Sequence, residues 1–250
     1  MSDSKFIDTP EGRRIAYHKT EGAGPCVVFL GGLKSDMMGT KAVYLEDWAR
    51  AEGRAFLRFD YSGHGESSGS FAEGCIGDWH EDTLAAVTAL TEGPLIVVGS
   101  SMGGWQALLL ARQWPERIAG LIGIAAAPDF TEDGYWANFT EAQKQTLAEV
   151  GQVELPSDYM EPYVITRRMI EDGRKRLVLR EALDLPFPVR LLQGTADTAV
   201  STATAVRLLE HAQSPDMQLT LVKDADHRFS DARCLAMIVA AINEVTGREG

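Results

Sequence analysis

Ser101 stands at the centre of Gly99-Ser100-Ser101-Met102-Gly103, a Gly-x-Ser-x-Gly pentapeptide. The apolar run Leu95-Ile96-Val97-Val98 precedes it, and a helix-like segment from Met102 to Arg112 follows. Strand, turn and helix in that order describe a nucleophile elbow, which exposes a serine hydroxyl on a strained corner at a helix N-terminus. So tight a turn admits only small neighbours, and Gly99, Gly103 and Gly104 supply them. A hydroxyl is a weak nucleophile until a base takes its proton. An imidazole titrates near neutral pH, so it can take that proton and return it to a leaving group. A carboxylate beside the imidazole fixes its tautomer and stabilises the imidazolium.

Groups able to fill those roles sit where apolar runs end. Asp224-Ala225-Asp226-His227 follows the last strand-like run and offers His227 as the base. Gln193-Gly194-Thr195-Ala196-Asp197 follows the run before it and offers Asp197 as the acid. Asp129, after the run beginning at Ile118, is a second acid position, and His64, in the loop after Asp60, is a rival base. Asp224 and Asp226 are too near His227 in sequence for the acid role and are expected to shape its loop. His18 falls in the opening hairpin, and His80 and His211 fall on helices. Two backbone N–H groups are candidate donors to an oxyanion: Met102, next to the serine, and Leu33, in the turn Leu30-Gly31-Gly32-Leu33. No cluster of His, Cys and carboxylates has metal-ligand spacing, and no phosphate loop with its Lys occurs. Neither a metal nor a cofactor is therefore expected.

The elements that must position these groups alternate. An opening hairpin joins Phe6–Thr9 to Ile15–Lys19 through Pro10-Glu11-Gly12. Strands follow at Cys26–Leu30, Ala55–Asp60, Leu95–Val98, Ile118–Ala127, Val189–Gln193 and Leu219–Val222. Helices are expected over Thr40–Ala51, Ile76–Leu90, Met102–Arg112, Ser201–His211 and Asp231–Val245. Nearly continuous apolar strands alternating with helices predict a mostly parallel sheet covered on both faces, with functional groups at the strands' carboxyl ends. Asp129–Leu185 shows no clear strand and is too long for a connection, so a helical cap inserted over the sheet's edge is expected. The domain reading is one α/β unit over residues 1–250 with that cap at about 129–185.

Composition narrows the partners. Thirty-six acids against 24 bases, a net charge of −12, argue against nucleic acid, which needs a basic footprint. No apolar run approaches the length of a membrane span. Cys26, Cys75 and Cys234 are odd in number and widely spaced, as in a reducing compartment. Met1-Ser2-Asp3-Ser4-Lys5 lacks the apolar core of a signal peptide and the look of a transit peptide, so a cytoplasmic location is expected.

These residues resemble the α/β-hydrolase superfamily over nearly the whole chain. The order Ser101, Asp197, His227 is that of its triad, and Asp60-Tyr61-Ser62-Gly63-His64-Gly65-Glu66-Ser67 is similar to its glycine-rich loop. More narrowly, four stretches resemble the family of the mitochondrial α/β-hydrolase domain-containing protein ten. They are Phe29-Leu30-Gly31-Gly32-Leu33, Gly39-Thr40-Lys41-Ala42, Arg58-Phe59-Asp60-Tyr61-Ser62-Gly63 and Val98-Gly99-Ser100-Ser101-Met102-Gly103-Gly104-Trp105. The resemblance implies an α/β-hydrolase fold and a serine esterase acting on acyl-cysteine thioesters and acyl-glucuronide esters. It implies Ser101, Asp197 and His227 as the triad and the Leu33 and Met102 N–H groups as the oxyanion hole. The chain departs from that family in its leader and in its cap.

The cap should select the acyl group, whether on a small molecule or on an acylated protein. Residues 129–161 hold eight acids and one base, Lys144; Arg167, Arg168, Arg174, Lys175, Arg176 and Arg180 follow. Solvated helix faces account for such runs, and the sharper reading is an arginine such as Arg167 or Arg168 clamping an anionic group. Tyr135, Trp136, Phe139, Tyr159, Tyr163 and Met169 are either cap core or the wall of an acyl groove, with Trp136 and Tyr163 the substrate candidates. The same triad on this fold also serves lactonases and carbon–carbon bond hydrolases, and the fold also occurs in non-catalytic binding proteins. Oligomeric state is not legible.

Overall fold

Strands that are apolar along their whole length can only lie between two layers of helices, and the chain builds that sandwich. The computed structural model describes residues 3–155 and 162–247. The hairpin β1 (Lys5–Asp8) and β2 (Arg14–Thr20) is antiparallel, with Phe6 opposite Ala16. Next come β3 (Ala23–Leu30), α1 (Thr40–Ala51), β4 (Arg54–Phe59), α2 (Ile76–Leu90), β5 (Leu95–Ser100), α3 (Met102–Gln113) and β6 (Ile118–Ile124). Late in the chain lie β10 (Val189–Gly194), α6 (Thr202–His211), β12 (Met217–Val222) and α7 (Ala232–Val245). The eight strands run β1-β2-β4-β3-β5-β6-β10-β12, and from β4 onward every neighbouring pair is parallel.

Side-chain alternation divides the sheet between two apolar layers. Val27, Phe29, Ile96, Val98 and Ile122 point to the layer of α1 and α7, where Leu45, Ile238 and Ile242 meet them. Val28, Leu30, Val97 and Leu121 point to the opposite layer, against α2 and α3. All residues of β5 are buried, and so is every residue of α3 from Met102 to Ala111. A helix apolar on every side needs cover on its outer face. The segment between β6 and β10 supplies it: Trp105 Nε1 donates to the Arg176 carbonyl, and the Trp105 and Phe130 rings meet edge to face.

That segment is not wholly helical, which corrects the expectation that it holds no strand. It contains a π-helical turn (Phe130–Trp136), α4 (Glu141–Val150), β7 (Gln152–Leu155), β8 (Tyr163–Thr166), α5 (Arg167–Gly173) and the short strand β9 (Leu183–Asp184). β7 and β8 form an antiparallel ribbon with Val153 opposite Ile165, and β9 pairs with β11 (Ala212–Gln213). Strands of two to four residues leave too few alternations for a period to show. Tyr159 lies outside the described residues. No helix of the described residues is long and apolar enough to cross a membrane.

Candidate active site

β5 ends in Gly99-Ser100, and the chain turns at Ser101 straight into α3. Ser101 takes φ 55°, ψ −117°, a left-handed conformation costly for a residue with a Cβ. Its N–H donates to the Ile124 carbonyl at 2.9 Å, and its carbonyl accepts the Gly104 and Ala127 amides at 2.9 and 3.0 Å. Those bonds hold the corner against its strain. A Cβ on Gly99 would overlap the Gly103 carbonyl and one on Gly103 the Leu30 carbonyl, so the turn closes only with glycine at both places. Met102, the first residue of α3, has one of the N-terminal amides that lack an intrahelical acceptor.

The ends of β10 and β12 bring two further groups to this corner. His227 Nε2 lies 3.2 Å from Ser101 Oγ, and its Nδ1 lies 2.8 Å from Asp197 Oδ2. The Asp197 side chain is wholly buried, while His227 keeps 32 % of its side chain open to solvent. Asp197 is held by three further contacts: the Ala199 and Val200 amides reach Oδ1 at 2.8 Å each, and Gln193 Nε2 reaches Oδ2 at 3.0 Å. Burial opposes its ionisation. The bond from His227 and the two amides outweigh burial and keep its carboxyl below the ordinary value. The loop around His227 is braced by the Phe229 N–H on Asp226 Oδ1 at 3.1 Å and the Asp224 N–H on Thr195 Oγ1 at 2.9 Å. Lys41, on α1, donates to the Arg228 carbonyl and ties that loop to the helix.

The loop after β3 closes the site on its other side. A Cβ on Gly32 would stand 3.4 Å from the Ser101 Cβ, so the Gly31–Leu33 backbone runs directly past the hydroxyl. Lys34, next in the chain, has φ 56°. Its ammonium lies 5.7 Å from the centre of the Tyr163 ring and 5.5 Å from that of Phe71, which joins this loop to β8.

The rival assignments go elsewhere. Asp129 is fully buried and accepts the Val178 and Leu179 amides at 2.8 and 3.0 Å, with Arg180 at 3.3 Å, so it ties down the inserted segment. Burial outweighs those amides and raises its carboxyl above the ordinary range. His64 points its Nε2 at the Lys34 amide, and Ser101 pairs with His227. Several charges of the segment between β6 and β10 are engaged with one another and with α2. Arg168 forks onto Asp78 and reaches the Glu73 carbonyl, Arg174 pairs with Glu132, Arg176 with Asp172, and Arg180 with Asp133. Arg167 donates to the Ala148 carbonyl at 3.2 Å, and Trp136 lies between the Arg174 guanidinium at 4.4 Å and the Lys144 ammonium at 5.4 Å. Of the four residues singled out for substrate, Tyr163 is the one placed beside the loop that passes Ser101. Gln193 escaped notice in the sequence; its signal is a carboxamide at the end of an otherwise apolar strand, four residues before an acid.

Comparison with known proteins agrees with this architecture. A family model described as serine aminopeptidase, S33, matches residues 25–172. The rat palmitoyl-protein thioesterase ABHD10, mitochondrial, is 35 % identical over 242 residues, covering 96 % of this chain and 81 % of that protein. The structure of α/β-hydrolase domain-containing protein 10 from mouse superposes with a TM-score of 0.91 at 34 % identity, covering 98 % of this chain and 99 % of that one. A putative hydrolase from Agrobacterium vitis S4 superposes with a TM-score of 0.93 at 38 % identity over 97 % of this chain and 98 % of its own. The cytoplasmic expectation is corrected by the same findings, because the rat, mouse, bovine and human relatives are all named as mitochondrial. The chain belongs to the α/β-hydrolase family of serine hydrolases, in the group that contains ABHD10.

Proposed function

We propose that the protein hydrolyses acyl thioesters and carboxylic esters through an acyl-enzyme on Ser101. One observation carries the reading: a continuous hydrogen-bonded chain runs from Ser101 Oγ through His227 to a buried Asp197, from three strand ends. In this reading His227 Nε2 takes the hydroxyl proton as Oγ attacks the acyl carbonyl. The Leu33 and Met102 N–H groups meet the resulting oxyanion. Collapse of the tetrahedral intermediate releases a thiol or alcohol, which leaves with the proton from His227. Water, deprotonated by the same imidazole, then attacks the acyl-serine and frees the carboxylic acid. Asp197 fixes the imidazole so that Nδ1–H donates to it and Nε2 faces the serine.

The choice of acyl thioesters draws on the relatives named as palmitoyl-protein thioesterases. In the same reading the chain is one domain, residues 129–185 cap it, and Tyr163 forms part of the substrate wall. Trp136, Arg167 and Arg168 serve mainly to hold the cap together, given their partners. The test is hydrolysis of acyl thioesters and matched oxygen esters of two to sixteen carbons by the wild type and Ser101→Ala. Loss of the serine should lower kcat by about 10⁵-fold or more without changing the melting temperature. Turnover that survives in a folded Ser101→Ala protein rejects the acyl-serine route.

A further inference from the structure

His64 is 4 % exposed and takes no part in the chain of groups running to Ser101. Its ring is surrounded edge-on by Tyr61, Phe71 and Trp79, with centroids 5.6, 5.4 and 5.2 Å away. Both ring nitrogens are engaged: Nε2 lies 3.1 Å from the Lys34 amide nitrogen and Nδ1 lies 3.1 Å from the Ser62 carbonyl oxygen. A backbone amide can only donate and a carbonyl can only accept. The pair therefore fixes one tautomer, with the proton on Nδ1 and an open lone pair on Nε2. The Ser62 carbonyl is itself located by a second donor, Trp79 Nε1, at 3.1 Å. Trp79 is fully buried on α2. A rigid line thus runs from α2 through the indole, the Ser62 carbonyl and the imidazole to the backbone at Lys34.

What that line holds is the left-handed turn beside Leu33. Lys34 has φ 56°, and non-glycine residues keep such a conformation only where neighbours over-determine it. The amide that His64 grips adjoins the residue whose own N–H is directed to the oxyanion in the proposed reaction. We infer that His64 is a positioning residue for the oxyanion hole: it accepts the Lys34 amide and so keeps the Leu33 N–H in line with the reacting carbonyl. The inference rests on the acyl-serine reading and adds to it a neutral histidine that acts as a fixed acceptor.

Three variants separate positioning from packing, with kcat, KM and melting temperature measured on one acyl ester. In His64→Gln the side-chain oxygen reaches the place of Nε2 and can still accept the Lys34 amide. In His64→Asn the amide group reaches only the place of Nδ1, so the Ser62 contact is kept and the Lys34 contact is lost. His64→Phe keeps an aromatic ring in the cluster and removes both contacts, and it serves as the second variant should the asparagine protein not fold. The expected result is a kcat lowered about ten- to a hundredfold in the Asn and Phe variants with KM within about twofold, and Gln restored to within about threefold of wild type. Equal kcat losses in Gln and Phe, or wild-type kcat in a folded Phe variant, overturn the positioning role. Turnover surviving in Ser101→Ala would instead reject the acyl-serine reading, so the two failures are told apart.

Discussion

The carboxyl edge of the sheet and the segment inserted between β6 and β10 use the same kinds of residue for opposite ends. At the sheet edge Asp197 and His227 lie on a line of bonds that ends on Ser101: Asp197 to His227, His227 to the hydroxyl. In the inserted segment the charges close on one another. Asp129 takes two amides and Arg180, Asp133 takes Arg180 and Arg207, and Arg168 crosses to Asp78 on α2. A carboxylate aligned on an imidazole can do chemistry; one saturated by amides and guanidinium can only fasten chain to chain. The lesson is that partners decide a residue's role, and the same Asp at another strand end becomes a rivet.

Replacing the two acids should break the comparison most sharply. Asp197→Asn should lower kcat by about 10⁴-fold at little cost in stability, because the imidazole is then offered the wrong tautomer. Asp129→Ala should do the reverse, leaving kcat within about tenfold of wild type. It strands two buried amides, so stability should fall by about 3 kcal/mol, read as a shifted urea midpoint. A catalytic collapse in Asp129→Ala with stability intact would reverse the assignment of the acid.

Acid titration of stability sharpens the contrast on the histidine side. Burial lowers the pKa of His18, His64 and His80, with the Arg58 charge adding to the effect at His18; Ser62 and Gln113 oppose it in part at His64 and His80. These imidazoles are neutral in the native protein at pH values where the unfolded chain is already protonated. Their contribution is therefore complete above the ordinary histidine value of 6.5 and is lost as pH falls below it toward their folded-state values. Urea midpoints should decline between about pH 7 and 5, and less steeply in His64→Gln. A flat profile would mean that these rings are not neutral in the native state.

The smallest effect is expected from the exposed rivet. Arg168→Ala removes a fork onto Asp78 from a side chain that is 53 % open to solvent, and should cost under about 1 kcal/mol. KM for anionic and neutral acyl substrates should change together, by less than about threefold. A selective loss of the anionic substrate would return this arginine to the binding site.

How much of this was legible beforehand differs by region for a physical reason. The strands and helices of the sandwich are long enough for their apolar period to show, and α2 runs over Ile76–Leu90, the residues the pattern predicts. The ribbon β7–β8 is two four-residue strands, and one-letter alternation over so short a span cannot be told from chance. The elbow is legible because glycine is the only residue whose absent side chain lets the turn close, so its chemistry is written in composition. His64 is visible in sequence only as a histidine in a loop, since neither Lys34 nor Trp79 is its neighbour in the chain.

The sequence by itself determined the alternation of the sandwich, the strained serine corner and the order of the groups that follow it, because each depends on nearest neighbours or on a short period. The tertiary structure decided which acid meets His227, which histidine faces the serine and which charges are already spent inside the inserted segment. Those choices rest on distances of about 3 Å between residues up to 126 positions apart, and only the closing of the sheet sets them.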